Sequence, residues 1–254
     1  MTQAMTPAQV VYVLPVHNEE RLLAANVERL VAYLQRFPGA EIYLVENGST
    51  DASWRIAQEL EAASSAVGGP VRIRAFREVD AGIGFAYHRG LTEAVRSFGP
   101  SRSRWAILTA ADLPFGFSDL EAALVALERS PSRILIGSKA HPQSVADTGL
   151  KRRAVSAVYR FARRAIVGMQ VGDSQGSVFL RLDLAEELLP KIASRGFFYS
   201  TELCHYAERQ GELIHELPVI LVPNERASTV RPLKHGLEMA RQLWMLRARE
   251  RGGH

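Results

Sequence analysis

The chain contains a single cysteine, Cys204, so it forms no internal disulfide, and a disulfide-stapled scaffold is excluded. A lone thiol agrees with a reducing compartment. Long apolar runs are also missing: the longest, Val10 to Val16, has 7 residues, whereas a spanning helix needs about 20. The opening stretch MTQAMTPAQ has no basic start and no apolar segment, so no signal peptide is expected and the protein is expected to be cytoplasmic. Neither a Pro/Ser-rich linker nor an internal repeat is evident, which makes one continuous domain the simplest organisation. What is present is ordinary for a globular protein. At 254 residues, 47% hydrophobic and 23% charged, the chain is neither disordered nor collagen-like. A chain of this length buries about 70–75% of its unfolded surface.

Charge is nearly balanced, with 31 basic against 27 acidic residues, but it is placed unevenly. Lys151, Arg152, Arg153, Arg160, Arg163 and Arg164 follow one another with no acid among them, and Arg231, Lys234, Arg241, Arg247, Arg249 and Arg251 crowd the C-terminus. Two such clusters point to an anionic partner or else to a solvated face. Aromatics interleaved with them are sparse and no nucleic-acid motif occurs, so no nucleic acid is expected as partner.

Strand and helix signals alternate through the first 125 residues. Val10 to Val16 is a β-branched run, and behind it Leu22, Leu23, Val27, Leu30, Val31 and Leu34 recur at helical spacing. Glu41 to Val45 is a second strand, followed by a helix carrying Trp54, Ile56, Ala57 and Leu60, for which Ser49, Thr50 or Asp51 would serve as N-cap. Val71 to Phe76 is a third strand, Gly82 to Phe98 a helix, Trp105 to Thr109 a fourth strand and Ser118 to Leu127 a helix. The alternation predicts an α/β fold with a mostly parallel sheet covered on both faces. Ligands of such sheets bind beyond the carboxyl ends of the strands. His17 to Glu20, Glu46 to Asp51, Asp80 to Gly84 and Ala110 to Asp112 sit at those ends.

Further on, Ile134 to Gly137 reads as a strand and Lys151 to Val167 as a basic amphipathic helix, with Val155, Val158, Tyr159, Ala162 and Ile166 on one face. A polar loop, Gly172 to Ser177, precedes a strand from Val178 to Leu180. A last strand over Leu217 to Val222 and a helix over Leu233 to Leu246 complete the reading. Residues 1–9 are expected to be a flexible N-terminus and 231–254 a basic amphipathic helix and tail.

Loops rich in Asn, Asp, Glu, Ser and Gly at strand ends can hold a nucleotide, because carboxylates accept from base and ribose while backbone N–H groups meet phosphate. Gly82 and Gly84 alone either contribute to that or merely make a turn. The full dinucleotide fingerprint and the P-loop are both missing.

These residues together resemble a family: the inverting family-2 glycosyltransferases of GT-A fold, and among them the dolichyl- and polyprenyl-phosphate sugar synthases. The resemblance runs from about Val10 to Arg249. Val11 to Glu20 (VYVLPVHNEE) is similar to the family's V-I-P-x-Y-N-E-E, and Val45 to Asp51 (VENGSTD) to its V-D-D-G-S-x-D. Gly82-Ile83-Gly84 resembles the G-K-G turn, and Thr109-Ala110-Ala111-Asp112 occupies the place of the D-x-D. Ile136 to Lys139 resembles a G-S-R motif, Asp173 to Gly176 resembles D-T-Q-C-G, and Tyr199 to Leu203 resembles F-D-V-E-L. The resemblance implies a single GT-A domain over 10–230, with a nucleotide-binding half (10–125) and an acceptor half (126–230).

By the same resemblance the activity is transfer of a sugar from a nucleotide-diphosphate donor, UDP favoured, to a polyprenyl phosphate. Pro15, His17, Asn18, Glu19, Glu46, Asn47, Gly82 and Gly84 would bind the nucleotide. Asp112 would hold Mg²⁺ or Mn²⁺, and Asp173 and Glu202 would be acids on the acceptor side. Lys139, Arg152, Arg153, Gln175, Arg226, Arg231 and Lys234 would meet acceptor phosphate. The basic helices would rest on an anionic membrane surface, making the protein peripheral on the inner face. Three departures weaken the charge around the diphosphate: Ala110 for the first Asp of D-x-D, Ile83 for the Lys of G-K-G, and Lys139 for the Arg of G-S-R. They leave two alternatives open. One is a soluble or glycan hydroxyl acceptor, which would need a carboxylate base such as Asp173. The other is a degenerate nucleotide-sugar binding protein.

Overall fold

Val10, Tyr12, Leu14 and Val16 pack into one layer and Val11 and Val13 into another, and all six are buried, so the first strand lies inside a sheet covered on both faces. The computed structural model describes residues 10–37, 39–128, 130–146, 149–222 and 232–252. Its strands are β1 (Val10–Val16), β2 (Ala40–Asn47), β3 (Val71–Glu78), β4 (Trp105–Leu108), β5 (Ile134–Gly137), β6 (Val178–Arg181) and β7 (His215–Leu217). Its helices are α1 (Leu23–Leu34), α2 (Ser53–Val67), α3 (Ile83–Phe98), α4 (Ser118–Leu127), α5 (Gly149–Val167), α6 (Leu182–Leu188), α7 (Tyr199–Arg209) and α8 (Pro232–Gly252). They form a single α/β domain around one sheet of order β3-β2-β1-β4-β6-β5-β7.

Within that sheet β6 runs antiparallel to both neighbours, pairing Val178 with Leu108 of β4 and with Ile136 of β5. The other strand pairs are parallel. The carboxyl ends of the parallel strands therefore share one edge with the amino end of β6, and the loop before β6 joins the loops expected to carry the site.

One face is covered by α1, α2 and α4. Leu23, Val27, Leu30 and Leu34 of α1, spaced by three or four, are all buried there, each contributing roughly 1.5–3 kcal/mol. The other face is covered by α3, α6 and α7. Helix α3 approaches closely because Gly90 has no side chain: a Cβ there would fall 2.2 Å from Cγ1 of Val13. A third, smaller apolar cluster joins α5 to α8, where Leu243 and Leu246 pack with Phe198, Tyr159, Ala162 and Ile166.

Four expectations are corrected. Ala52, not Ser49, Thr50 or Asp51, stands at the N-cap of α2, although Asp51 Oδ1 still accepts from the Ser53 N–H at 2.9 Å. The last strand ends at Leu217 instead of running to Val222. Pro218 has no N–H to give a ladder, and beyond it, among the described residues, pairing is limited to the Val145–Ile220 bridge. In α5 the face turned inward carries Tyr159, Ala162, Arg163 and Ile166, while Val155 and Val158 are exposed. Helix α6 was not foreseen: it follows β6 directly, and Leu182, Leu184, Ala185 and Leu188 are too short a run for periodicity to register. The expected flexible segment 1–9 lies outside the described residues.

Candidate functional site

The first two strand ends are tied to each other by side chains of the residues read as nucleotide-binding. His17 Nδ1 donates to the Asn47 carbonyl at 2.9 Å, which leaves Nε2 to accept from the Asn18 amide at 3.3 Å. Asn18, at φ 55°, accepts through Oδ1 from the Thr50 N–H at 2.9 Å. The Asn18 and Glu19 N–H groups donate to Ser49 Oγ and Ser53 Oγ at 3.1 and 2.7 Å. Asn and Ser are suited here because short polar side chains satisfy loop backbone that neither strand can pair. The result is a polar rim that joins the ends of β1 and β2. Pro15, one residue before the end of β1, is half-buried, and His17 and Asn18 are exposed on the rim.

Glu46 lies beneath that rim with its side chain 1% exposed, accepting from the Ser49 N–H and lying 3.2 Å from Nε of Arg77. Beside it, Oδ1 of Asn47 is buried and accepts no hydrogen bond. An unmet buried acceptor is costly.

Asp112 follows β4 on the same edge, four residues beyond Leu108, with the Ala111 carbonyl before it held by Asn26 Nδ2 at 3.0 Å. Its charge lies near the phenol of Tyr87, whose pKa is raised first by burial and then by Asp112. Among the described residues no group of three or more His, Cys, Asp or Glu could cage a metal. A lone hard carboxylate instead suits Mg²⁺ or Mn²⁺ completed by substrate phosphate oxygens.

Gly82 and Gly84 have a steric reason that spacing did not disclose. A Cβ on Gly82 would meet the Arg195 carbonyl oxygen at 2.8 Å, and one on Gly84 would meet the Arg195 carbonyl carbon at 2.4 Å. Gly82 is also at φ 152°. The turn thus lies directly on the backbone of Arg195, and the Phe85 N–H donates to the Arg195 carbonyl at 3.1 Å. Arg195 reaches back to His88, its guanidinium 3.3 Å from Nε2. Burial, with help from Arg195, lowers the His88 pKa to about 4, so the ring is neutral at pH 7 and its Nδ1 is buried without a partner.

Of the residues expected on the acceptor side, the structure brings Lys139, Asp173 and Gln175 together. Lys139 Nζ is 2.9 Å from Asp173 Oδ2, and the N–H groups of Lys139 and Gln175 donate to the same carboxylate at 3.1 and 2.9 Å. Burial would raise the Asp173 pKa, but the Lys139 ammonium and these donors hold it below the ordinary value. Gln175 Nε2 donates to Thr201 Oγ1 at 2.8 Å, which also meets Ser174 Oγ at 2.9 Å and Tyr159 OH at 3.0 Å. Thr201 is thereby the knot between α7, α5 and the loop before β6. It lies inside the stretch Tyr199 to Leu203 but was not singled out, since a threonine carries no charge signal.

Glu202, the next residue, is fully buried; Arg249 of α8 lies 2.8 Å from Oε1, and the Ser194 N–H donates to Oε2 at 2.7 Å. Arg163, one of the basic cluster along α5, is 2% exposed and donates to the Gly172 carbonyl at 3.1 Å.

The outward face of α5 combines apolar and basic residues. Phe161 is 74% exposed and Val158 68%, with Val155, Arg153, Arg160 and Arg164 exposed around them; on α8 Trp244 is 60% exposed. No helix among the described residues is long and apolar enough to cross a membrane. Arg226 and Arg231 lie outside the described residues, as do the side chains of Arg152 and Lys234.

The sequence model of Glycosyl transferase family 2 matches residues 12–189. Among solved structures, the chain is similar to glucosyl-3-phosphoglycerate synthase from Mycobacterium tuberculosis in several liganded states. The complex with UDP gives a TM-score of 0.63 at 17% identity, covering 97% of this chain and 82% of that one. The complex with Mn²⁺, UDP-glucose and phosphoglyceric acid gives 0.63 at 18% identity, covering 99% and 82%. The complex with Mg²⁺ and UDP gives 0.60 at 18% identity, covering 95% and 79%. At these identities the likeness establishes the GT-A fold.

Proposed function

The chain belongs to glycosyl transferase family 2, and from that premise we propose that this glycosyltransferase moves a sugar from a UDP-sugar to a polyprenyl phosphate at an anionic membrane surface. The observation that carries the lipid acceptor is the outward face of α5. That helix holds the acceptor-side loop through Tyr159 and Arg163, and it turns Val155, Val158 and Phe161 outward among Arg153, Arg160 and Arg164. Exposed apolar side chains ringed by arginines suit a bilayer interface, where each basic residue adds about 1 kcal/mol near anionic lipid.

The donor reading rests on the polar rim that joins β1 to β2. Its buried Glu46 and Asn47 offer acceptors to the donors of a base or ribose, and the exposed His17 and Asn18 offer polar groups above them. UDP and UDP-glucose occupy structures of the same fold, which favours a uridine nucleotide. Asp112 would hold a divalent cation on the diphosphate, as that relative takes Mn²⁺ or Mg²⁺ with UDP. When bound, the cation offsets the charge that develops on the leaving UDP.

In the transfer itself an acceptor phosphate oxygen attacks the anomeric carbon as the bond to UDP breaks, inverting the centre. A phosphate is already anionic near pH 7, so positioning and cationic stabilisation outweigh the need for a base. This agrees with an Asp173 engaged by Lys139 and two backbone donors. Lys139 and Gln175 would orient the phosphate, with Arg152, Arg153, Arg226, Arg231 and Lys234 assisting.

A second reading, a small phosphorylated acceptor, is favoured by the phosphoglyceric acid bound in the relative. The test is one assay with two acceptors. UDP-glucose and Mn²⁺ are supplied with undecaprenyl phosphate in anionic vesicles or with 3-phosphoglycerate in solution. Glucolipid formed by the wild type and lost in Asp112→Asn is expected. Turnover of 3-phosphoglycerate alone would overturn the lipid acceptor, and turnover of neither would overturn both.

A further inference from the structure

Helix α8 reaches the donor-side turn through an unbroken series of contacts. Arg249 lies 2.8 Å from Glu202, and the other carboxylate oxygen of Glu202 accepts the Ser194 N–H at 2.7 Å. The next residue, Arg195, gives its carbonyl to the Phe85 N–H at 3.1 Å and places that backbone under Gly82 and Gly84. Its side chain turns back to the carbonyls of Ile192 and Ser194 at 2.8 and 3.1 Å and to His88 at 3.3 Å. Phe198, at the far end of the same segment, packs with Leu243 and Leu246 of α8.

The chemistry gives this series a direction. Glu202 is fully buried, and Arg249 is the cation ion-paired with it. A carboxylate without water needs both a cation and hydrogen-bond donors; without Arg249 it would be a buried, uncompensated charge. It would then take up a proton or leave its place, and either change weakens its hold on the Ser194 N–H. The segment behind the Gly82–Gly84 turn would loosen with it.

We propose that Arg249 and Glu202 are positioning residues of the donor site, by which the C-terminal helix holds the Gly82–Gly84 turn in place through residues 192–198. The donor part rests on the reading of that turn as nucleotide-binding. In this assignment Glu202 acts through Ser194 and Arg195 and does not touch the acceptor. Because Thr201 beside it holds Ser174 and Gln175, the first turn of α7 braces the two sides of the site with adjacent residues.

Arg249→Ala leaves Glu202 buried without its cation, so Arg249→Lys, which keeps the charge, and the protection of core strands show whether the chain still folds. Amide hydrogen exchange on the full chain would compare wild type, Arg249→Ala, Arg249→Lys and Arg209→Ala, alongside titration with UDP and Mn²⁺. In Arg249→Ala, exchange at Ser194 and Phe85 is expected to rise roughly tenfold while Tyr12 and Leu44 stay protected. UDP affinity is expected to fall by about the same factor, with Arg249→Lys in between. Arg209→Ala, which removes a neighbouring exposed contact to Glu250, should leave Phe85 unchanged. Unchanged exchange at Phe85 in Arg249→Ala would overturn the brace. Faster exchange with UDP affinity intact would overturn its role in the donor site. A wild-type chain that takes up no UDP would remove the donor reading itself, and exchange at Phe85 would still decide the brace.

Discussion

The carbonyl carbon of Arg195 lies 2.4 Å from the point where a Cβ on Gly84 would stand. No side chain can swing aside to relieve that approach, because the obstacle is backbone. Gly84→Ala is therefore expected to cost about 1–3 kcal/mol, read from the midpoint of urea unfolding. Gly69→Ala, where an added Cβ meets nothing within 4 Å, should stay within about 0.5 kcal/mol of wild type. Equal stability of the two variants would show that the segment yields.

His88 predicts an acid-side loss of stability. Burial and Arg195 lower its folded pKa to about 4 from an ordinary 6.5. Between those values the unfolded chain binds a proton that the folded chain does not, so stability falls as pH drops from about 6.5 to 4 and levels off below. His88→Gln lacks this term. Its Tm should fall a few degrees less than that of wild type between neutral and mildly acid pH, and parallel curves would count against the assignment.

Asp173 distinguishes a brace from a base. As a brace, its replacement by Ala leaves the Lys139 ammonium and two N–H groups unmet, costing about 1–3 kcal/mol. Its lowered pKa adds stability that is present above the ordinary value of 3.8 and is lost as pH falls below it. A general base would instead lose turnover in Asp173→Asn with the melting temperature unchanged. Measuring both quantities on both variants decides between them.

Much of the architecture was legible because it follows from periodicity. Val10–Val16, Ile134–Gly137 and Ser118–Leu127 end where apolar runs meet polar or glycine residues, and the structure keeps those limits. Legibility failed where tertiary contact sets the outcome. Arg163 and the neighbouring arginines of α5 look alike in sequence, yet only packing against the loop at Gly172 decides that Arg163 is buried while Arg160 and Arg164 are exposed. Apolarity places Val155 and Val158 on one face with Tyr159, Ala162 and Ile166, but α8 covers only the stripe that carries the last three. In the site, the strand-end polar residues were found by position. The steric role of Gly82 and Gly84 was hidden because the obstructing residue, Arg195, lies more than a hundred residues further on.

The antiparallel insertion of β6 also orders events during synthesis of the chain. Strands β1 to β4 assemble as a contiguous parallel group, β3-β2-β1-β4, using only residues up to Leu108. Strand β5 cannot join them on emerging, since its neighbours are β6 and β7 and its place is one strand away from β4. It must wait until Val178–Arg181 has been made and slotted between. The edge of β4 stays open over that interval, when unpaired strand edges invite wrong partners. The half of the sheet from β3 to β4 can thus be framed early, whereas the half from β6 to β7 is completed only after most of the chain has been made.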